Sequence, residues 1–206
     1  MKLTDLTVGN LVAAFQSSAP VPGGGSASAL AGAVGAALLS MVAGLPKHRA
    51  DTEEDRARLA EAGSLCAKAS QGLTALIDRD SEAYEEVMAA YRRPKATDEE
   101  KAGRTAAIQA ALKVATAAPL DVMRSCAAAL EQAVVVASIG NPSASSDVLV
   151  GIELLVAGWK GAKANVEINL GSIKDASYVE HVRSDVIEFE RGASHEAEAA
   201  RARLTP

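Results

Sequence analysis

Pro20-Val21-Pro22-Gly23-Gly24-Gly25-Ser26, followed by the small-residue run Ala27 to Leu45, is the stretch that decides the fold. Proline fixes its own φ, lacks an amide donor and keeps the residue before it out of the helical region, so the segment begins extended. The glycines behind it carry no Cβ, which lets a ligand approach the backbone closely. Ser26 is positioned to cap a helix over about Ala27–Ala43 by accepting from an amide in its first turn. A helix N-terminus carries partial positive charge and suits an anionic or polar ligand. Gly44 and Pro46 then stop the helix.

The run is apolar on every side, and its length matches a membrane span. Its apolar residues are mostly Ala and Gly, without the aromatic belts of a transmembrane helix. It reads instead as the buried centre of a soluble bundle. The whole chain agrees with this. Of 206 residues, 49% are hydrophobic and only 3% aromatic, and alanine dominates. Alanine is the best helix former, and the β-branched and aromatic runs of strands are scarce. The expected fold is all-α, an antiparallel bundle of long helices in a single domain over residues 1–206. Side chains this small bury little area each, so a second subunit is the expected source of further burial.

Net charge is −5, with no basic stripe interleaved with aromatics, which argues against nucleic acid. Cys66 and Cys126 form no CxxC and read as buried thiols in a reducing compartment. Met1 to Asn10 lacks an apolar signal core. A cytoplasmic protein is expected, with no membrane partner. His48, His181 and His195 share no metal-ligand spacing, so no metal site is expected.

Outward from the glycine loop, Thr7 caps a first helix to Gln16. Asp51 or Thr52 opens a helix of about 40 residues in which Leu59, Cys66, Leu73, Ile77, Asp80, Tyr84 and Val87 recur at helical spacing. Thr97 and Glu100 form a capping box. Pro119 kinks that helix or starts another, and Gly140 ends it. Ser145 or Ser146 caps the next helix, which runs to about Leu170, and Asp175 to Leu204 completes the chain.

Asp80 is the anomaly, a carboxylate on an apolar seam. Desolvation raises a carboxyl pKa towards neutrality, which suits proton transfer. The competing role is a structural carboxylate bonded across the bundle. Asp147 fits a helix first turn as well as it fits chemistry, and Asn165 and Asn169, one turn apart, fit interhelical bonding as well as ligand contact. The basic runs Lys47-His48-Arg49 and Arg92-Arg93 are solvated clusters, either of which could meet a carboxylate tail.

In combination, Pro20–Ser26 with the alanine run, Asp80-Ser-Glu-Ala-Tyr84, Pro94-Lys95, Gly140-Asn141, Ser146-Asp147-Val148 and Ala164-Asn165-Val166-Glu167-Ile168-Asn169-Leu170 resemble the cyclodeaminase/cyclohydrolase family. That family includes the C-terminal domain of formiminotransferase-cyclodeaminase. The chain departs from it at Gly44-Leu45-Pro46. The resemblance implies a homodimeric enzyme acting on a tetrahydrofolate derivative, with or without a polyglutamate tail, and with no further cofactor. The expected reaction is closure of 5-formiminotetrahydrofolate to 5,10-methenyltetrahydrofolate with loss of ammonia. Hydrolysis of the methenyl form to 10-formyltetrahydrofolate is the alternative, and a non-catalytic folate-binding bundle is the rival of another class. Asp80 is then the candidate proton shuttle, with Asp147 as a second catalytic residue. Gly23, Gly24, Gly25, Ser26, Lys47, Lys95, Asn165 and Asn169 are the candidate substrate contacts.

Overall fold

The computed structural model describes residues 2–204. Among them lie six α-helices and no strand: α1 (Val8–Gln16), α2 (Gly24–Ala43), α3 (Glu53–Tyr91), α4 (Asp98–Ile139), α5 (Ser145–Leu170) and α6 (Ala176–Leu204). The all-α bundle of long helices expected from the alanine content is what forms. Its buried apolar residues make one cluster drawing on every helix from α2 to α6.

Small residues bring α2 against α5. A Cβ on Gly35 would lie 2.6 Å from the Gly151 carbonyl oxygen, one on Gly158 would lie 2.9 Å from that of Ser28, and one on Gly161 would lie 2.3 Å from Ser28 Oγ. The numbers rise on α2 as they fall on α5, so the two helices run antiparallel with backbone against backbone. Along α3 the same antiparallel order holds. Ser70 Oγ donates to the Ala33 carbonyl at 2.9 Å, and Ser26 Oγ to that of Ile77 at 2.8 Å. Leu39, Leu73, Met123, Leu130, Ile152 and Leu155 fill the spaces between these close crossings.

Several helix ends follow the sequence reading. Thr7 accepts from the Asn10 amide, Thr52 from that of Asp55, and Thr97 with Glu100 completes its capping box. Others differ. α2 starts at Gly24, three residues before the expected Ala27, with Gly23 as its cap residue. Ser26 therefore lies inside the first turn and caps nothing. Neither Ser145 nor Ser146 caps α5; a short 3₁₀ turn, Pro142–Ala144, leads directly into it and is itself capped by Asn141. Pro119 lies within an unbroken α4 of 42 residues. Residues 176–204 form one helix, anchored where Lys113 Nζ meets Asp175 Oδ2 at 2.7 Å. Both cysteines are free and buried, and burial pushes each thiol up to about 12.

By length and composition, α2 and α4 could cross a membrane. In the bundle α2 is packed between α3 and α5, but its remaining face is uncovered and apolar. Ala27, Val34, Ala37 and Met41 are exposed along it, as are Leu65 on α3 and Leu149 and Val150 on α5.

Candidate functional site

The antiparallel pairing of α2 with α3 and α5 carries the glycine loop to the middle of α3 and the end of α5. There a cleft of about 330 Å³ opens, lined by Pro20, Val21, Gly23–Gly25, Asp80, Tyr84, Val87, Leu112, Ala115, Asn165 and Asn169. The Val21–Pro22 bond at its rim is cis.

Asp80 accepts the Ser26 backbone amide at 2.8 Å and the Ser26 hydroxyl at 3.1 Å, both on Oδ2. The carboxylate of α3 thus caps one first-turn amide of α2, that of Ser26, the task the sequence assigned to the Ser26 side chain. Ser26 is fully buried, and its hydroxyl also contacts the Ile77 carbonyl and, at 3.2 Å, Ser81 Oγ. The carboxylate lies flat over Gly25, where a Cβ would stand 2.0 Å from Oδ1 and 2.4 Å from Cγ. Glycine at this position is what lets the acid reach the helix end. Burial raises the Asp80 pKa above the ordinary carboxylate range, and the two Ser26 donors pull it partly back. Oδ1 accepts no hydrogen bond among the described residues, which leaves a proton-accepting atom on a base strengthened by desolvation.

The two asparagines are oriented by backbone carbonyls. Asn165 Nδ2 donates to the Gly161 carbonyl at 2.8 Å and Asn169 Nδ2 to that of Ala115 at 2.9 Å. A carbonyl only accepts, so each amide NH₂ is fixed towards the backbone and each amide oxygen is left to receive a ligand N–H. The Ala115 carbonyl is available for a definite reason. In a regular helix it would accept from residue 119, but Pro119 has no N–H. A proline in α4 therefore orients an asparagine of α5.

Not every expected residue reaches the cleft. Gly23, Gly24, Gly25, Asn165 and Asn169 line it with Asp80, and Ser26 stands directly behind the acid. Asp147 is in the first turn of α5. It lies 18 residues before Asn165, about 27 Å along the axis. Lys47 follows the other end of α2, in the left-handed region at φ 61° and exposed. Twenty residues of α2 separate it from the glycine loop, about 30 Å. Lys95 is exposed in the turn between α3 and α4 and does not line the cleft. None of these three, neither the expected second catalytic acid Asp147 nor the expected substrate contacts Lys47 and Lys95, lines the cleft with Asp80.

Tyr84 and Val87, which the sequence reading left on the apolar seam of α3, form with Leu112 of α4 apolar walls suited to a flat ring. Their helical spacing alone does not distinguish a cleft wall from a core seam. Asp80 is, among the described residues, the only charged side chain lining the cleft. Among the described residues no three His, Cys, Asp or Glu side chains group as a metal site.

The sequence model of the formiminotransferase-cyclodeaminase family matches residues 7–188. The methenyltetrahydrofolate cyclohydrolase of Methylorubrum extorquens is 41% identical over 174 residues, 84% of each chain. The formimidoyltransferase-cyclodeaminase of Sus scrofa is 35% identical over 82% of this chain, which spans only 31% of that longer protein. The crystal structure of formiminotetrahydrofolate cyclodeaminase from Thermotoga maritima superposes with a TM-score of 0.83 at 29% identity, covering 98% of both chains. Glycine loop, capped acid and paired asparagines thus sit within a match that spans most of the sequence, and the chain belongs to the formiminotransferase-cyclodeaminase family.

Proposed function

We propose that this chain is a tetrahydrofolate one-carbon enzyme that hydrolyses 5,10-methenyltetrahydrofolate to 10-formyltetrahydrofolate. The observation that carries the reading is a single half-buried acid, with one free oxygen, as the only charge lining a cleft with two oriented amides. The methenyl carbon bridges N5 and N10 and shares a positive charge with them. A lone carboxylate in partly desolvated surroundings suits such a cation, and a cationic side chain there would repel it.

The chemistry follows from the free oxygen. Water adds to the methenyl carbon and loses a proton to Asp80 Oδ1. The tetrahedral adduct then collapses, its C–N5 bond breaks, and the proton held by Asp80 passes to N5. The formyl group stays on N10, and one further proton leaves with the new carbonyl. Asp80 acts first as base and then as acid, which its raised pKa favours. Asn165 and Asn169 accept N–H groups of the pterin edge, while Tyr84, Val87 and Leu112 flank its ring. Every bond change is C–O, C–N or proton transfer, so the reaction calls for no redox cofactor.

The sequence placed the ammonia-releasing closure first. The cyclohydrolase name of a relative matching 84% of each chain supports putting hydrolysis first instead. Cyclodeamination remains the second reading, supported by the likeness to the Thermotoga enzyme over nearly the full length of both chains. It uses the same carbon, with N10 as nucleophile and ammonia as leaving group. Purified protein added separately to each compound distinguishes them. Loss of the methenyl chromophore supports hydrolysis, its appearance from 5-formiminotetrahydrofolate supports closure, and binding without either change leaves a non-catalytic module.

The proposal includes a homodimer in the cytoplasm, free of nucleic acid and membrane. The homodimer is supported by the uncovered face of α2, where Val34 is 44% and Met41 43% exposed, with Val150 of α5 at 50%. A second copy brings the same stripe to a two-fold axis and covers both. Val34→Glu is expected to turn a dimer into a monomer by sedimentation, and extraction without detergent tests the soluble state.

A further inference from the structure

We propose that Arg92 anchors the glutamate carboxylate of the folate substrate, at the end of a groove that continues the cleft; this rests on the reading that the cleft takes a tetrahydrofolate. Pro20, Val21 and Tyr84 line both the cleft and a second, outer groove, which passes Met88 and reaches Arg92. The groove follows from helix geometry. Asp80, Tyr84 and Met88 on α3 and Arg92, its C-cap residue, are spaced four apart, and residues at that spacing form a ridge inclined to the helix axis. The ridge starts at the acid, passes the aromatic wall and emerges on the surface at the arginine. Its ends lie twelve positions apart in sequence, about 18 Å along the helix axis. An aminobenzoyl ring, an amide and a glutamate in series, met by an extended arginine side chain, cover a distance of that order.

The charges along the groove single out Arg92. Glu82, Glu85 and Glu86 also line it. Arg79 faces two of them, at 3.6 Å from Glu82 and 2.8 Å from Glu86. The Arg92 guanidinium has no ion-pair partner among the described residues and is the only cation lining the groove. Glu85 precedes it by seven residues, about 10 Å along the axis and close to the screening length of physiological salt. A carboxylate held at Arg92 therefore escapes most of the repulsion, whereas one stopping short of it does not. The planar guanidinium also matches a carboxylate through two parallel hydrogen bonds. Neither lysine assigned to this task by the sequence lines cleft or groove.

The test compares 5,10-methenyltetrahydrofolate with 5,10-methenyltetrahydropteroate, which lacks the glutamate. Arg92→Ala is expected to raise KM for the folate about tenfold with little change in kcat, and to leave the pteroate unaffected. Arg92→Lys is expected to fall between. Arg93→Ala, whose native side chain turns instead towards the Gly103 carbonyl at 3.5 Å, is the control. An unchanged KM in Arg92→Ala, or an equal rise for both compounds, overturns the assignment while leaving the function standing. If the unmodified protein neither binds nor converts either compound, the folate reading falls and this one with it.

Discussion

The two ends of α2 look alike in sequence and differ in what surrounds them. Each combines proline and glycine, Pro20–Gly25 at one end and Gly44-Leu45-Pro46 at the other. At the first end the free amides of the helix meet the carboxylate of another helix, and an asparagine pair faces them. At the second, the turn is closed by backbone groups. Asn141 Nδ2 donates to the Pro46 carbonyl at 2.7 Å, and the Arg49 amide donates to that of Ile139 at 2.9 Å. One end leaves polar atoms facing a cleft, whereas the other uses its polar atoms to tie the turn to the end of α4. The candidate site follows the unspent polar atoms, not the glycines.

The largest expected effect comes from removing the charge at the first end. Asp80→Asn keeps an oxygen for the Ser26 amide but cannot take a proton, so turnover is expected to fall about a hundredfold or more. Its pH behaviour separates chemistry from capping. Burial holds the folded Asp80 pKa above its unfolded value. Between those two values the native chain binds more protons than the unfolded one, so stability falls as pH rises through the window. The variant lacks that decline, and melting scans across the mildly acidic range should show the two proteins diverging as pH rises. In the native enzyme, kcat/KM should drop on the acid side at a pH above that of an ordinary carboxylate. Normal turnover in the variant would leave Asp80 as a cap alone.

Next comes the glycine beneath the acid. Gly25→Ala places a Cβ 2.0 Å from Asp80 Oδ1, and the carboxylate is held by two bonds from Ser26. It must move, at a cost of about 1–3 kcal/mol, with activity lost alongside. Gly23→Ala is the internal contrast, because its nearest neighbour is the Pro20 carbonyl oxygen at 3.8 Å. Thermal melting and turnover of both variants check this, and equal behaviour would remove the steric distinction within the loop.

How far the sequence carried this distinction depends on the residue. Helix starts fixed by local bonds were legible, since Thr52, Thr97 and Glu100 act within a few residues of themselves. The loop and Asp80 were also legible, because a carboxylate on an apolar seam stands out against its periodicity. Their mutual geometry was not. Ser26 carries a capping signature, yet the carboxylate that performs the capping arrives from 54 residues away. Asp147 and Lys47 were placed with the site because polar residues near helix ends look alike until antiparallel packing assigns each end its neighbours. Pro119 read as a kink or a helix start, while its effect falls on the asparagine of another helix.

That proline gives a smaller and more selective effect. Pro119→Ala restores an amide that competes with Asn169 for the Ala115 carbonyl. The Asn169 side chain then loses its fixed orientation, and KM is expected to rise about three- to tenfold, the worth of one hydrogen bond. The helix itself should be no less stable, since alanine is the better helix former. Steady-state kinetics with a melting curve test both, and an unchanged KM would make the Ala115 contact incidental to binding.

The smallest expected effects belong to the other end of α2, and they test the contrast most directly. Asp147→Asn and Lys47→Ala remove charges about 27–30 Å from the cleft along α5 and α2, and kcat/KM should stay within about twofold of the native value, too little to count as lost transition-state binding. Lys47 adds a stability readout, because a side chain at φ 61° sits where only glycine is free of strain. Lys47→Gly is therefore expected to raise the melting temperature slightly without touching KM. A loss of activity beyond tenfold in Asp147→Asn would mean that this acid reaches a cleft after all, and the only route is through a second copy of the chain. The two ends of α2 would then be halves of one site, each completed by the partner, and the variant's dimerisation constant would have to change along with its turnover.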